Sequence, residues 1–228
     1  MTVAIHQPNF IPWIGYFYKI FNSDIFVLLD DVQYTKNSYI NRNKIKTPQG
    51  AQWLTIPVLK SGKFGQTIHE TMIANPEKSI STVLKSIEQN YKKAPYFSGF
   101  FEEFSNLLAL HNYNLADLNT ALIKWMVNIF GIQTKIVHSS ELENIKGNST
   151  GRLISICRHF NAGVYFSGFG GSNYQEENEF KEAGIKLRVT DFNYPEYRQL
   201  WGDFIPNLSA LDLLFNTGSN SKSYIFQT

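Results

Sequence analysis

The chain has 228 residues, 43% of them hydrophobic and only 18% charged, and its formal charge is 21 − 19 = +2. These values exclude an acidic tail, a disordered chain and a strongly basic nucleic-acid clamp. A single cysteine, Cys157, excludes an intrachain disulfide and any multi-cysteine zinc site.

Residues 2–5 read as a short buried strand and residues 7–12 as a loop punctuated by Pro8 and Pro12. Residues 13–21 are apolar at most positions, which suits a buried helix. Residues 24–29 (DIFVLL) have the apolar interior of a parallel strand covered on both faces. Strand, loop, helix and strand within thirty residues make a βαβ opening. Residues 53–59 partly alternate, residues 60–65 look like a turn, and residues 67–73 look like the returning strand. An antiparallel insertion is therefore expected over residues 53–74, with Pro57 at an edge. Asn75 and Pro76 read as the cap and first residue of a helix. Helical spacing then runs through three stripes, from Ile80 to Tyr91, Phe97 to Leu108 and Leu115 to Ile129, which predicts a helical segment over residues 76–130. Beyond it, strands are expected at 134–138, 164–167 and 186–190. Between them lie a helix capped by Ser149 or Thr150 and a second helix at 174–183 closed by Gly184. This alternation predicts a single α/β domain, residues 1–228, with a Rossmann-like parallel sheet.

Charge is distributed unevenly. Residues 32–69 contain no Asp or Glu but carry Lys36, Arg42, Lys44, Lys46, Lys60 and Lys63. Cations interleaved with Asn37, Asn41 and Asn43 suit phosphate or carboxylate. A solvated basic loop is the alternative. The anion site is favoured because the stretch follows a strand end, where α/β folds bind ligands. Asp30 and Asp31 stand at that same end and face opposite ways. They are read either as metal ligand, general base or sugar-hydroxyl acceptor, or as loop starters bonding backbone amides. His6, Gln7 and Asn9 leave the first strand toward a helix N-terminus, where His6 suits phosphate contact or acid/base work. Ser149, Thr150 and Arg152 form a further anion candidate, although capping alone explains the hydroxyls. Ser167, Gly168, Gly170, Gly171, Asn173 and Tyr174 lie in a glycine-rich strand-to-helix turn that permits close backbone approach. That turn is neither GxGxxG nor GxxxxGK[ST]. His69, His111, His138 and His159 have no metal-like spacing, and the cofactor and the identity of any metal are left open.

The segments HQPNFIPWIGYFYKI, LLDDVQYTKNSYINRNKI, STGRLISICRHFNAGVYFSGFGGSNY and FIPNLSALDLLFNTG resemble the WbqC-like protein family over nearly the whole chain. The resemblance implies a bacterial setting beside genes for O-antigen or other surface polysaccharides. The matching positions include His6, Gln7, Asp30, Asp31, Tyr34, Lys36, Asn41, Arg42, Ser149, Thr150, Arg152, Ser167, Gly168 and Tyr174. A fainter likeness to nucleotidylyltransferases lies in residues 10–16 and in Ser149 to Arg152. The paired histidines of that enzyme class are absent, Trp13 and Tyr16 standing in their place.

The expectation is a cytoplasmic group-transfer enzyme without membrane insertion. Its substrate would be a small anionic molecule, a nucleotide-linked sugar or activated acyl group. Arg42, Lys36 and Lys44 would clamp the anion, and His6 with Asp30 or Asp31 would perform acid/base or metal chemistry. The rival expectation is a non-catalytic binding or assembly module for glycan enzymes. A nucleic-acid domain stacking bases on Tyr34 and Tyr39 ranks last, because most of the chain lacks positive charge. The oligomeric state is left open.

Overall fold

The computed structural model describes residues 1–111, 113–168 and 174–226, without the side chains of 174–176. The opening unit is β1 (Thr2–His6), α1 (Ile14–Phe21) and β2 (Ile25–Leu28), as its apolar pattern predicts. Three further strands are β5 (Lys135–His138), β6 (Val164–Ser167) and β7 (Lys186–Val189). All five pair in parallel, in the order β5-β2-β1-β6-β7. The chain works outward from β1 to β2 and β5, then returns to the other side of β1 with β6 and β7. Strand order therefore reverses between β1 and β6. Registered pairs there run only from Thr2↔Val164 to Ala4↔Phe166, so Ile5 and His6 emerge beyond the ladder.

Alternation along the strands divides the core in two. Ala4, Phe26, Leu28 and Phe166 face a large cluster shared with α1 and the mid-chain helices. Val3, Ile5, Val27 and Tyr165 face a smaller one. There they meet Ile154, Ile156 and Cys157 of α5 (Ser149–His159) and Phe180 of α6 (Tyr174–Glu182). The buried thiol of Cys157 is pushed up to about 12 by that apolar setting.

The three expected mid-chain helices are α2 (Pro76–Tyr91), α3 (Phe97–Leu110) and α4 (Leu115–Phe130). Asn114 caps α4, its side-chain oxygen accepting the amides of Ala116 and Asp117. Asn75 and Pro76 hold the expected cap and first positions of α2, but the Asn75 side chain does no capping. Its backbone is left-handed, at φ 44°. Ser149 and Thr150 do not cap α5 either, for Asn148 holds the cap position and Ser149 has φ 45°.

The antiparallel pairing also differs from expectation. The ladder is β3 (Arg42–Thr47) with β4 (Gly50–Thr55), closed by a turn at Pro48 and Gln49. Residues 53–59 and 67–73 meet only at the single bridge Val58↔Ile73. Gly50, at φ 99°, supplies the turn conformation that favours glycine. Pro57 cannot donate to a ladder.

No element was expected after residue 190, yet α7 (Ala210–Thr217) and α8 (Ser221–Phe226) complete the chain. The Ser209 hydroxyl caps α7 by accepting the Leu211 amide, and the Ser209 amide donates to the Lys44 carbonyl. The Ala210 amide donates to the Pro12 carbonyl, so the C-terminal segment is tied to both the hairpin and the loop after β1.

Candidate functional site

A cavity of about 520 Å³ opens where strand order reverses. In open α/β sheets the crevice at this point lies beyond the carboxyl ends of the strands. His6 ends β1, Gly168 follows β6 and Thr190 follows β7, so three strand ends reach it. Trp13, Gly15, Tyr16 and Lys19 contribute one wall from α1 and its cap. Phe192, Asn193, Tyr194 and Asn207 of the strap after β7 form the other, with Tyr39 at the side.

His6 packs edge-on against Trp13 and Tyr16, at 5.6 and 4.9 Å between ring centroids. Its Nδ1 lies 3.1 Å from the Gln7 carbonyl oxygen, which also accepts from the Tyr16 hydroxyl at 3.0 Å. A carbonyl only accepts, so Nδ1 carries the proton and Nε2 presents a lone pair. Burial, with the neighbouring Lys19 charge, brings the imidazole down to about 3, so His6 is neutral at physiological pH. Burial also pushes the Tyr16 hydroxyl well above its ordinary value. Lys19 is 4% exposed and donates to the Ile5 carbonyl at 2.7 Å. Burial lowers its amine to about 7.

From the cavity wall, ring contacts step outward. Trp13 meets Tyr39 at 5.3 Å and Tyr39 meets Trp53 at 5.4 Å. Trp53 is 41% exposed, and Arg42 and Lys44 stand over its ring at 4.2 and 5.2 Å. Cation–π contact fixes both charges beside an exposed indole. Arg42 also donates through Nη2 to the Asn37 carbonyl at 2.5 Å.

The other expected residues lie elsewhere. Asp30 is buried under β2 and β5. Its carboxylate accepts from Nδ1 of His138 at 2.8 Å, from the Ser140 amide at 3.0 Å and from the hydroxyls of Ser139 and Ser140. Burial alone would raise its pKa, but the His138 and Ser140 contacts outweigh that and hold it down at about 2. Asp31 accepts from the Ser139 hydroxyl at 2.6 Å and pairs with Arg152 of α5. Neither carboxylate lines the cavity, and Arg152 is joined to Asp31 rather than open to an anion. Asp30 and Asp31 thus tie the turn after β5 and the start of α5 to the end of β2.

Asn9 and Asn41 are buried, and Asn41 donates to the Ile56 carbonyl at 2.7 Å. Tyr34 is buried, and among the described residues its hydroxyl has no partner. Lys36 is exposed. Ser149 is exposed, Thr150 is buried, and Ser167 is buried beside Gly168. Gly170, Gly171, Asn173 and the Tyr174 side chain lie outside the described residues. Among the described residues no cluster of His, Cys, Asp and Glu could hold a metal ion, and no helix is long and apolar enough to cross a membrane.

Sequence reasoning missed Lys19 and the strap from Thr190 to Asn207, and it offered Tyr39 only as a base-stacking residue. Lys19 left one signal, a lone cation inside the apolar run of α1. The strap left none, having no periodicity.

These features define an α/β protein with a Rossmann-like parallel sheet and an aromatic-walled cavity at its switch point. Within that class, residues 7–224 match the WbqC-like protein family, and the chain belongs to it. It is 39% identical over 225 residues to an uncharacterized protein of Mycobacterium tuberculosis, Rv1507c, covering 98% of this chain and 96% of that one. No solved structure matches it.

Proposed function

We propose that this chain is a cytoplasmic group-transfer enzyme of bacterial surface-polysaccharide biosynthesis, of the O-antigen type. Its substrate is an anionic, nucleotide-linked sugar or activated acyl compound. The observation that carries this reading is the continuity of the cavity with the cationic indole outside it. Trp13 and Tyr39 wall the cavity, Trp53 extends the same aromatic path, and Arg42 and Lys44 cap its far end. An aromatic cleft suits a sugar or base ring, and adjoining cations suit the phosphates attached to it. His6 offers Nε2 to the bound ring, and Gly168 lets the backbone approach it. Asp30 and Asp31 serve in this reading by bracing the strand ends.

The test is a thermal-shift screen against nucleotides, nucleotide sugars and acyl-thioesters, repeated with Arg42→Ala. A ligand at a hundred times its dissociation constant should add roughly 2.7 kcal/mol. Arg42→Ala should weaken that ligand about tenfold or more with the fold intact, the loss of a charge-assisted contact. Unchanged affinity in Arg42→Ala would remove the clamp.

One observation favours a second reading, a non-catalytic binding module. The two carboxylates best suited to chemistry are already occupied by protein groups. On that reading His6, Asp30 and Asp31 variants change affinity and leave any product unchanged.

A further inference from the structure

Two lysines, Lys19 and Lys46, are almost wholly buried, and their surroundings differ. Nζ of Lys46 has three acceptors, Gln199 Oε1 at 3.0 Å, the Gly202 carbonyl at 3.2 Å and the Asp203 carbonyl. Its hydrogen-bonding capacity is filled by protein, and it lines no part of the cavity. Lys19 has one hydrogen-bond acceptor among the described residues, the Ile5 carbonyl, and it does line the cavity. The described ion pairs are His138 with Asp30 and Arg152 with Asp31, so no described carboxylate lies within 4.0 Å of the Lys19 amine. Burying an amine without a carboxylate is costly and needs a reason.

We propose that Lys19 is a covalent site, its amine capturing the carbonyl carbon of an aldehyde- or keto-bearing ring compound in the switch-point cavity as an imine. The inference rests on the reading of that cavity as the substrate site and adds the chemical class of what it holds. The amine is held at the carbonyl of Ile5, which has left the β6 ladder, one residue before the cavity-lining His6. It needs a free lone pair to attack, and burial supplies that form near neutral pH by lowering the amine to about 7. The rings of Trp13, Tyr16 and Phe192 flank a bound ring. Neutral His6, with Nδ1 committed to the Gln7 carbonyl, leaves Nε2 to accept a hydrogen bond from a substrate hydroxyl.

The step balances without an oxidant. The amine nitrogen bonds the carbonyl carbon, and its proton passes to the former carbonyl oxygen, giving a carbinolamine. The carbon–oxygen bond then breaks, and with one proton from solvent the oxygen leaves as water. A protonated imine remains on Nζ.

The test uses the full chain and two defined probes, pyridoxal 5′-phosphate and the smaller glyoxylate. Each is incubated at pH 7, reduced with borohydride and located by peptide mass mapping. The expected result is at least roughly tenfold more reduced adduct at Lys19 than at exposed Lys36, Lys60 or Lys63, since an amine near 7 is far more deprotonated than an ordinary lysine. Lys19→Arg should abolish the dominant adduct with circular dichroism unchanged. Adducts spread over exposed lysines, with Lys19 unmodified by both probes in the folded wild-type chain, overturn the proposal. That measurement needs no variant to fold. The same preparations are screened for nucleotide-sugar binding. Binding without a Lys19 adduct removes the covalent site and spares the proposed function. A Lys19 adduct without any such binding does the reverse.

Discussion

At Lys19 the cost of burial can be measured directly. An unfolded lysine titrates near 10.5, whereas in the fold burial brings this one to about 7. Between those values the unfolded chain holds more protons, so stability rises with pH across that window. Below about 7 the full penalty stands. Lys19→Met should therefore be more stable than wild type at pH 6, by up to about 5 kcal/mol less the lost bond to Ile5. The advantage should shrink to nothing above pH 10.5. A variant that melts lower at pH 6 would show that the ammonium is better satisfied than its single hydrogen bond suggests. Asp212 is the contrasting case. It is wholly buried and accepts from Tyr91 and Tyr197, each at 2.8 Å, while the Tyr91 hydroxyl accepts the Lys46 amide. Asp212→Ala strands both hydroxyls and should cost about 3 kcal/mol in urea unfolding.

At the scale of elements, regular apolar patterns were readable and irregular ones were not. The parallel strands follow from short continuous apolar runs, and the mid-chain helices from a period of 3.6. β3 defeated that reading because, apart from Ile45, its buried positions are polar. Asn43 is inside, donating to the Phe10 and Ile11 carbonyls, and Lys46 is inside with its three acceptors. Those partners come from distant segments, so no local pattern announces them. The first turn of α1 offers a test of the cavity. A Cβ on Gly15 would lie 3.1 Å from both Phe192 Cδ1 and Trp13 Nε1, across the space between the two walls. Alanine suits a helix better than glycine by up to about 1 kcal/mol, so the fold should tolerate Gly15→Ala. Ligand affinity should fall several-fold, and further for Gly15→Val, in calorimetric titration. Full affinity in both variants would place the ligand elsewhere.

For the whole molecule, the sequence led to the carboxyl edge of the sheet but did not show which of its strand ends come together. His6, Asp30 and Ser167 all stand at strand ends, as expected. Strand order then separates them, because β6 returns beside β1 while β5 lies beyond β2. His6 thus meets the cavity, whereas Asp30 meets His138. That divergence predicts two acid transitions with separate origins. His6 sits at about 3 in the fold against 6.5 in the unfolded chain, mainly through burial. Unfolded protein therefore takes up the extra proton, and stability falls as pH drops from 6.5 toward 3. Asp30 is held at about 2 by contacts that outweigh its burial, against 3.8 when free. Its contribution is complete above about pH 4 and is lost as pH falls toward 2, on the order of 1–2 kcal/mol after solvent screening. Urea unfolding from pH 7 to pH 2 separates them. His6→Gln should flatten the upper part of the stability curve and leave the lower part sloping. Asp30→Asn should lower stability at pH 7 and flatten only the part below pH 4. If either variant flattened both parts alike, the two groups would belong to one electrostatic unit rather than to opposite sides of β1.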